Sequence, residues 1–391
     1  MDFTSAVTTE SEIDQAIKAL AQQISLSEPD LLVIFISTYF SQAAQQIVHE
    51  LRQVVKPGLL IGCTAEGVID PQREIEDQPA ISLVAARLPE VRPAPFVLQS
   101  DPAEWHMLLL EESNFQQSVA APADTGLILL LADPFTTPME DLLQAFNSYY
   151  PGIPIVGGMA SGSLRSHGNA LFLNDRVFHE GAVGVTLAGA LDVDIIVSQG
   201  CRPIWRPFKV VKAHQNVIHN LEDRAPLAWL QDLIPELSEE DRALLQNGLF
   251  VGRSVKAGQD TLGRGDFVIR GVMSIDQESG AIAIGDSIMD GETIQFHLRD
   301  AVTAQEDLEM LLIPQIFRER PSGALLFTCN GRGTRMYDRP NGDISVIQQN
   351  VDNAPLAGFF CAGEIGPIGG VNFLHGQTAT LVLFRPAGIG T

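Results

Sequence analysis

Apolar positions in this chain alternate between short unbroken runs and stripes at helical spacing. The run Leu31-Leu32-Val33-Ile34-Phe35-Ile36 is too short for a buried helix and rich in β-branched residues. It therefore predicts a strand covered on both faces. From 41 to 54, Ala43, Ile47, Leu51 and Val54 share one helical face, and an earlier stripe predicts a helix over 11–24. Strand, helix and strand of these lengths read as a parallel crossover. The order returns with a strand at 127–131, a helix at 139–149 and a strand at 153–156. It returns again with a strand at 324–327, a helix near 344–349 and a strand from 356. Further strands are predicted at 81–85, 91–98, 182–187, 193–197, 249–251, 267–269 and 282–284. A hairpin is predicted at 171–178 around Asn174-Asp175. A helical connector broken at Pro235 is read over 221–247, and Asp300 is a suitable N-cap for a helix over 301–319.

Each crossover ends in a phrase of small residues: Gly62-Cys63-Thr64-Ala65-Glu66-Gly67, Gly157-Gly158-Met159-Ala160-Ser161-Gly162, and Gly358-Phe359-Phe360-Cys361-Ala362-Gly363-Glu364. Glycines there let backbone approach backbone, or let a small ligand approach an amide at the end of a sheet.

Length and charge bound the rest. At 391 residues the chain exceeds one ordinary core, and the change of texture near 222 places a boundary there. We expect an α/β protein of two domains, 1–222 (core from about 31) and 223–391. Their mixed, largely buried sheets are flanked by outer helices. A net charge of -23 opposes phosphate backbones and anionic lipid, so neither nucleic acid nor a membrane is an expected partner. The apolar runs are far short of the ~20 residues a spanning helix needs. No basic region followed by an apolar core opens the chain, so a cytoplasmic location is expected. Cys63, Cys201, Cys329 and Cys361 lack zinc or disulfide spacing.

The phrases Gly62–Gly67, Val156-Gly157-Gly158, Val197–Ile204, Leu298–Ala301, Phe327–Arg332, Gly358–Pro367 and His375–Thr378, in that order, resemble the FIST family. The resemblance runs from about 31 to 384. It implies intracellular sensing of small ligands, with amino acids proposed for the family and haem bound by some nitric-oxide-responsive members. Trp205 stands where a small residue is common in the family. With no output segment recognised in the chain, a separate signalling partner is expected.

Arg332 and Glu364 are the leading candidates, since both lie in turns at the ends of predicted parallel strands, where ligands of open sheets bind. A guanidinium grips a carboxylate through two hydrogen bonds and a carboxylate accepts from an ammonium, so the pair suits a zwitterion. The bland alternative is that Arg332 and Glu364 pair with each other or with backbone, stabilising the turns. Cys329, Asn330, His375 and Thr378 are expected to shape the same pocket, and Cys63, Glu66 and Arg202 a corresponding face on the first domain. No cofactor is expected, with haem on a histidine such as His179, His214, His219 or His297 as the alternative. His214 and His219 read more simply as surface helix residues. Cys329, His375 and Glu364 also have the residue types of a thiolate enzyme, without any motif that fixes their geometry.

Overall fold

The computed structural model describes residues 1–99, 102–255, 262–263 and 265–387. The chain divides into two compact lobes. One comprises Met1–Val197, Leu308–Leu374 and the chain from Thr378; the other comprises Ser198–Asp307 and His375–Gln377. These divisions fall elsewhere than the expected boundary at 222, because strands from both ends of the chain share sheets in the first lobe.

The first lobe is built from one topology used three times: strand, helix, strand, helix, strand, hairpin, strand. The first repeat is β1 (Asp2–Thr8), α1 (Ile13–Gln23), β2 (Leu31–Ser37), α2 (Ala44–Val55), β3 (Leu59–Ala65), the hairpin β4 (Val68–Ile69) and β5 (Glu74–Ile75), and β6 (Ile81–Arg87). The second is β7 (Val91–Leu98), α3 (Pro102–Leu110) with α4 (Glu112–Val119), β8 (Thr125–Ala132), α5 (Met139–Tyr149), β9 (Ile155–Met159), the hairpin β10 (Leu171–Leu173) and β11 (Arg176–Phe178), and β12 (Ala182–Gly189).

The third repeat opens with β13 (Leu191–Gln199) and is interrupted by the second lobe. That lobe carries β14 (Cys201–Pro203), β15 (Phe208–His214), β16 (Val217–Leu221), α6 (Pro226–Leu233), α7 (Glu239–Leu245), β17 (Leu249–Ser254), β18 (Phe267–Ile275), β19 (Ile282–Ile284) and β20 (Thr293–Arg299). The repeat resumes with α8 (Ala301–Leu312), β21 (Gly323–Cys329), α9 (Gly342–Val351), β22 (Leu356–Cys361), the hairpin β23 (Glu364–Ile368) and β24 (Val371–His375), and β25 (Thr378–Pro386).

Three six-stranded sheets result: β1-β6-β2-β3-β10-β11, β7-β12-β8-β9-β23-β24 and β13-β25-β21-β22-β4-β5. In each, one repeat supplies four strands around its parallel pair and another repeat's hairpin supplies the last two. The exchange is cyclic. The hairpin of repeat one completes the sheet of repeat three, that of two completes one, and that of three completes two.

The inner faces share one apolar core, in which Phe35, Phe327 and Phe359 meet ring against ring and Leu129, Val183 and Val185 join them. The outer faces carry helices: α1 and α2 through Leu20, Ile47 and Leu51, α5 through Leu142 and Phe146, and α8 and α9 through Leu308 and Ile347. Strands such as β2 are thus apolar on both sides, which explains the unbroken run that marked it.

In the second lobe β20 pairs with both β15 and β17, closing the sheet into a barrel around Phe208, Ile218, Val251 and Phe296. His214 and His219 lie on the strands of its β15–β16 hairpin, not on a helix. The helix after Asp300 ends at Leu312 and tightens to a 3-10 turn, Ile313–Phe317, where Pro314 removes a backbone donor. Asp300 caps it, accepting from Val302 N at 3.1 Å and Thr303 Oγ1 at 2.7 Å.

One glycine recurs at the same place in each repeat. A Cβ on Gly62 would lie 2.0 Å from Ile34 O, on Gly157 1.9 Å from Leu130 O, and on Gly358 2.2 Å from Leu326 O. Each carbonyl belongs to the residue paired with that glycine across the parallel strands. Here glycine is required by approach of backbone to backbone. Alanine at any of the three positions is expected to cost roughly 2–4 kcal/mol, read by urea denaturation. A loss under about 0.5 kcal/mol at any one would contradict the contact.

Candidate functional site

The three small-residue turns meet inside the first lobe. One hydroxyl joins them: Ser161 Oγ, in the second turn, accepts from Glu66 N of the first at 2.9 Å and donates to Phe360 O of the third. Backbone bonds tighten the junction, with Met159 N donating to Gly363 O at 2.8 Å and Ala362 N to Met159 O at 3.0 Å. Close packing completes it, since a Cβ on Gly158 would lie 2.5 Å from Cys361 Sγ and one on Gly162 2.7 Å from Thr64 Oγ1. Ser161 carried no chemistry that sequence reasoning would single out.

Seven of the nine expected site residues lie in this lobe: Cys63, Glu66, Cys329, Asn330, Arg332, Glu364 and Thr378. Cys63, Cys329 and Cys361 are buried around the junction, with Cys329 and Cys361 paired across β21 and β22. Asn330 N donates to Cys361 O at 2.9 Å, and its Nδ2 donates to Glu66 Oε2 at 3.4 Å, where Arg335 Nη1 also donates at 3.1 Å. Burial pushes the Cys63 thiol up, and burial together with the Glu364 carboxyl pushes Cys361 up. Both are neutral thiols, opposite to what a thiolate nucleophile needs.

Arg332 and Glu364 are both fully buried, at 0% exposure. Arg332 Nε donates to Asp343 Oδ2 at 2.8 Å, its Nη2 reaches Asp343 Oδ1, and Nη2 donates to Tyr337 Oη at 2.8 Å. Burial alone lowers a guanidinium pKa; the Asp343 charge outweighs it and holds Arg332 protonated. Thr328 Oγ1 and Tyr337 Oη also donate to Asp343, at 2.8 and 2.6 Å. The pairing found for Arg332 is with the Asp343 side chain, on α9 eleven residues ahead.

Glu364 Oε2 accepts from Thr378 Oγ1 at 2.7 Å and Thr378 N at 3.2 Å, while Oε1 has no hydrogen-bond partner among the described residues. Burial raises its pKa to about 8, and the Thr378 donors and the Cys329 thiol only partly oppose this. A second buried acid, Glu74, accepts from Asp343 N and Ile344 N at 2.8 Å and caps α9; burial, then the Asp343 charge, raises it to about 7.

The remaining two expected residues, Arg202 and His375, fall in the second lobe. Arg202 is held there by Asp241 and, at 2.9 Å, by Asp300. His375 is also assigned to that lobe, where Gly200 N donates to Gln377 O at 2.8 Å beside it.

A different feature of the first lobe is open. A cleft of about 930 Å³ lies between α3, α5 and the turn after β8, at the carboxyl end of the parallel pair. Trp105, Leu109, Leu110, Phe135 and Tyr149 form its apolar wall, and His106, Asp141, His167 and Glu180 its polar one. Asp133 shapes the turn that carries Phe135, accepting from Phe135 N and Thr136 N at 3.1 Å each. Tyr149 Oη donates to Leu109 O at 2.9 Å, tying α5 to α3. The N-cap position of α5 is Pro138, which makes no side-chain cap hydrogen bond among the described residues. Trp105 Nε1 is buried in the cleft wall without an acceptor among the described residues. Among the described residues, no group of three or more His, Cys, Asp or Glu is placed to hold a metal, and no helix is long and apolar enough to cross a membrane.

Glu364 yields a test through pH. Its folded pKa lies above the ordinary 4.5, so its contribution is complete below that value and falls away as pH rises to about 8. Between these limits the wild type should lose on the order of 4 kcal/mol that Glu364→Gln does not lose. Glu74 titrates in the same direction in both proteins, so the difference isolates Glu364. Parallel stability–pH curves would refute a buried, neutral Glu364.

Comparison with known proteins matches the FIST N domain over residues 30–224 and the FIST C domain over 226–367. The uncharacterized protein Mb0898c of Mycobacterium bovis is 38% identical over 384 residues, covering 96% of this chain and 97% of that protein. The uncharacterized protein Rv0628c of Mycobacterium tuberculosis is 37% identical over 375 residues, covering 93% of each. Matched through both halves, the chain belongs to the FIST family, whose domains are associated with sensory signal transduction.

Proposed function

We propose that this chain is a small-ligand-binding sensory protein that acts by binding rather than turnover and passes its signal to a separate protein. The observation that carries the reading is the cleft of about 930 Å³, which combines aromatic walls with both signs of charge. Pockets of this size, with a few polar groups among apolar ones, are the usual form of small-molecule sites.

The zwitterion reading moves to this cleft, because the Arg332 guanidinium is consumed by Asp343. Asp141 and Glu180 supply carboxylates for an ammonium. The uncapped N-terminus of α5, with His106 and His167, supplies donors for a carboxylate. An organic body would lie against Leu109, Phe135 and Tyr149. The buried thiols at the turn junction belong to the core of the lobe in this reading.

Calorimetry of the full chain against a panel of amino acids tests the proposal. Saturable binding of at least one is expected, weakened about tenfold or more by Phe135→Ala or Asp141→Asn. Phe135 and Asp141 are exposed, so neither change threatens the fold. No heat with any zwitterion, or affinities untouched by both substitutions, would sink the reading. A Soret band on adding haem, lost in His106→Ala or His167→Ala, would favour the haem alternative instead.

A further inference from the structure

An apolar surface on the third repeat stands outside the cleft and outside the core. Where α8 passes into its 3-10 turn, Met310, Leu311, Ile313, Ile316 and Phe317 are 51%, 39%, 51%, 61% and 86% exposed. Leu308 and Leu312 already anchor this segment to the sheet, so the exposed set is not needed for packing. Together it presents on the order of 500 Å² of apolar side chain, a size at which a patch on a soluble protein is usually functional.

The charges around it say what kind of partner fits. Arg318 is spent on Asp192 and Asp194, at 2.6 and 2.5 Å, and Arg320 faces Asp352 at 3.7 Å. Glu309 and Glu319 flank the apolar residues at either end, both exposed and neither with a cationic partner among the described residues. The rim is therefore acidic around an apolar centre. A second copy would bring the same acidic rim on a chain of net charge -23, so self-association is electrostatically opposed.

We propose that this face is the docking site for a basic amphipathic helix of a partner protein, its apolar stripe covering Ile316 and Phe317 and its cations meeting Glu309 and Glu319. Helix-on-apolar-surface recognition with a complementary rim is a recurrent mode of docking. The proposal goes beyond the ligand site and does not depend on it.

The test uses the full chain and a labelled synthetic helix of about eighteen residues, leucine on one face and lysine on the other. Fluorescence anisotropy should show saturable one-to-one binding. The double variant Ile316→Ser/Phe317→Ser should weaken it about tenfold or more, and Glu309→Gln/Glu319→Gln should weaken it and flatten its salt dependence. All four side chains are exposed, and unchanged thermal melts would show that the variants fold. A matched leucine–glutamate peptide should bind at least about tenfold more weakly. Affinity indifferent to Ile316 and Phe317 would overturn the proposal by reducing the binding to attraction by net charge. Light scattering that shows a dimer dispersed by the same double variant would overturn it in favour of a second copy. Sedimentation of the wild type, but not the variant, with phosphatidylcholine vesicles would overturn it in favour of lipid.

Discussion

The first lobe rests on three places where two backbones come too close for any side chain. Gly62, Gly157 and Gly358 each sit over the carbonyl of their partner on the neighbouring parallel strand. Only this approach brings the following turns inward far enough to touch. Once they touch, a single hydroxyl is within reach of all three, and Ser161 supplies it. The hairpins leaving the turns then extend the neighbouring sheets in a ring. One side of each parallel pair is covered by a hairpin from elsewhere in the chain, which leaves only a short strand at that edge. It also makes the lobe cooperative, since no repeat contains its own complete sheet.

Much of this was legible in the sequence, and the reason is periodicity. The three crossovers announce themselves because β2, β8 and β21 are apolar on both faces while α2 and α5 carry one apolar stripe. The repeated glycine phrases marked the right places, although as backbone contacts and not as rims of a pocket. The ring was not legible. Strands as short as Val68–Ile69 and Glu74–Ile75 have no measurable alternation, and their partner β22 lies nearly three hundred residues away. The lobes follow spatial pairing, whereas the change of texture near 222 lies beside the division of the two family domains, at 224 and 226.

The site illustrates how far residue types carry. Arg332 and Glu364 lie near strand ends, and both are buried to 0% exposure. What sequence could not supply was the company each keeps. Asp343 lies on the helix between β21 and β22, and there it takes both ends of the guanidinium fork. Isolation left Glu364 with a raised pKa instead of a ligand's ammonium. The cleft had no motif to betray it: Trp105, Leu109 and Leu110 lie on α3, a helix with little amphipathic contrast, while Phe135 comes from a turn. Concave surfaces made by unremarkable residues emerge only when the elements are assembled.

The place where the second lobe enters the chain has a consequence for how such a protein arises. Between edge strand and next helix, the first repeat uses residues 9–12 and the second 99–101, whereas the third uses 200–300. The barrel thus occupies what is otherwise a short loop, the kind of position that tolerates large insertions. Four-strand contributions, turns and exchanged hairpins all lie outside it. A threefold ancestor without the barrel would already own every strand it needs to close, which makes the graft separable in descent from the ring that hosts it.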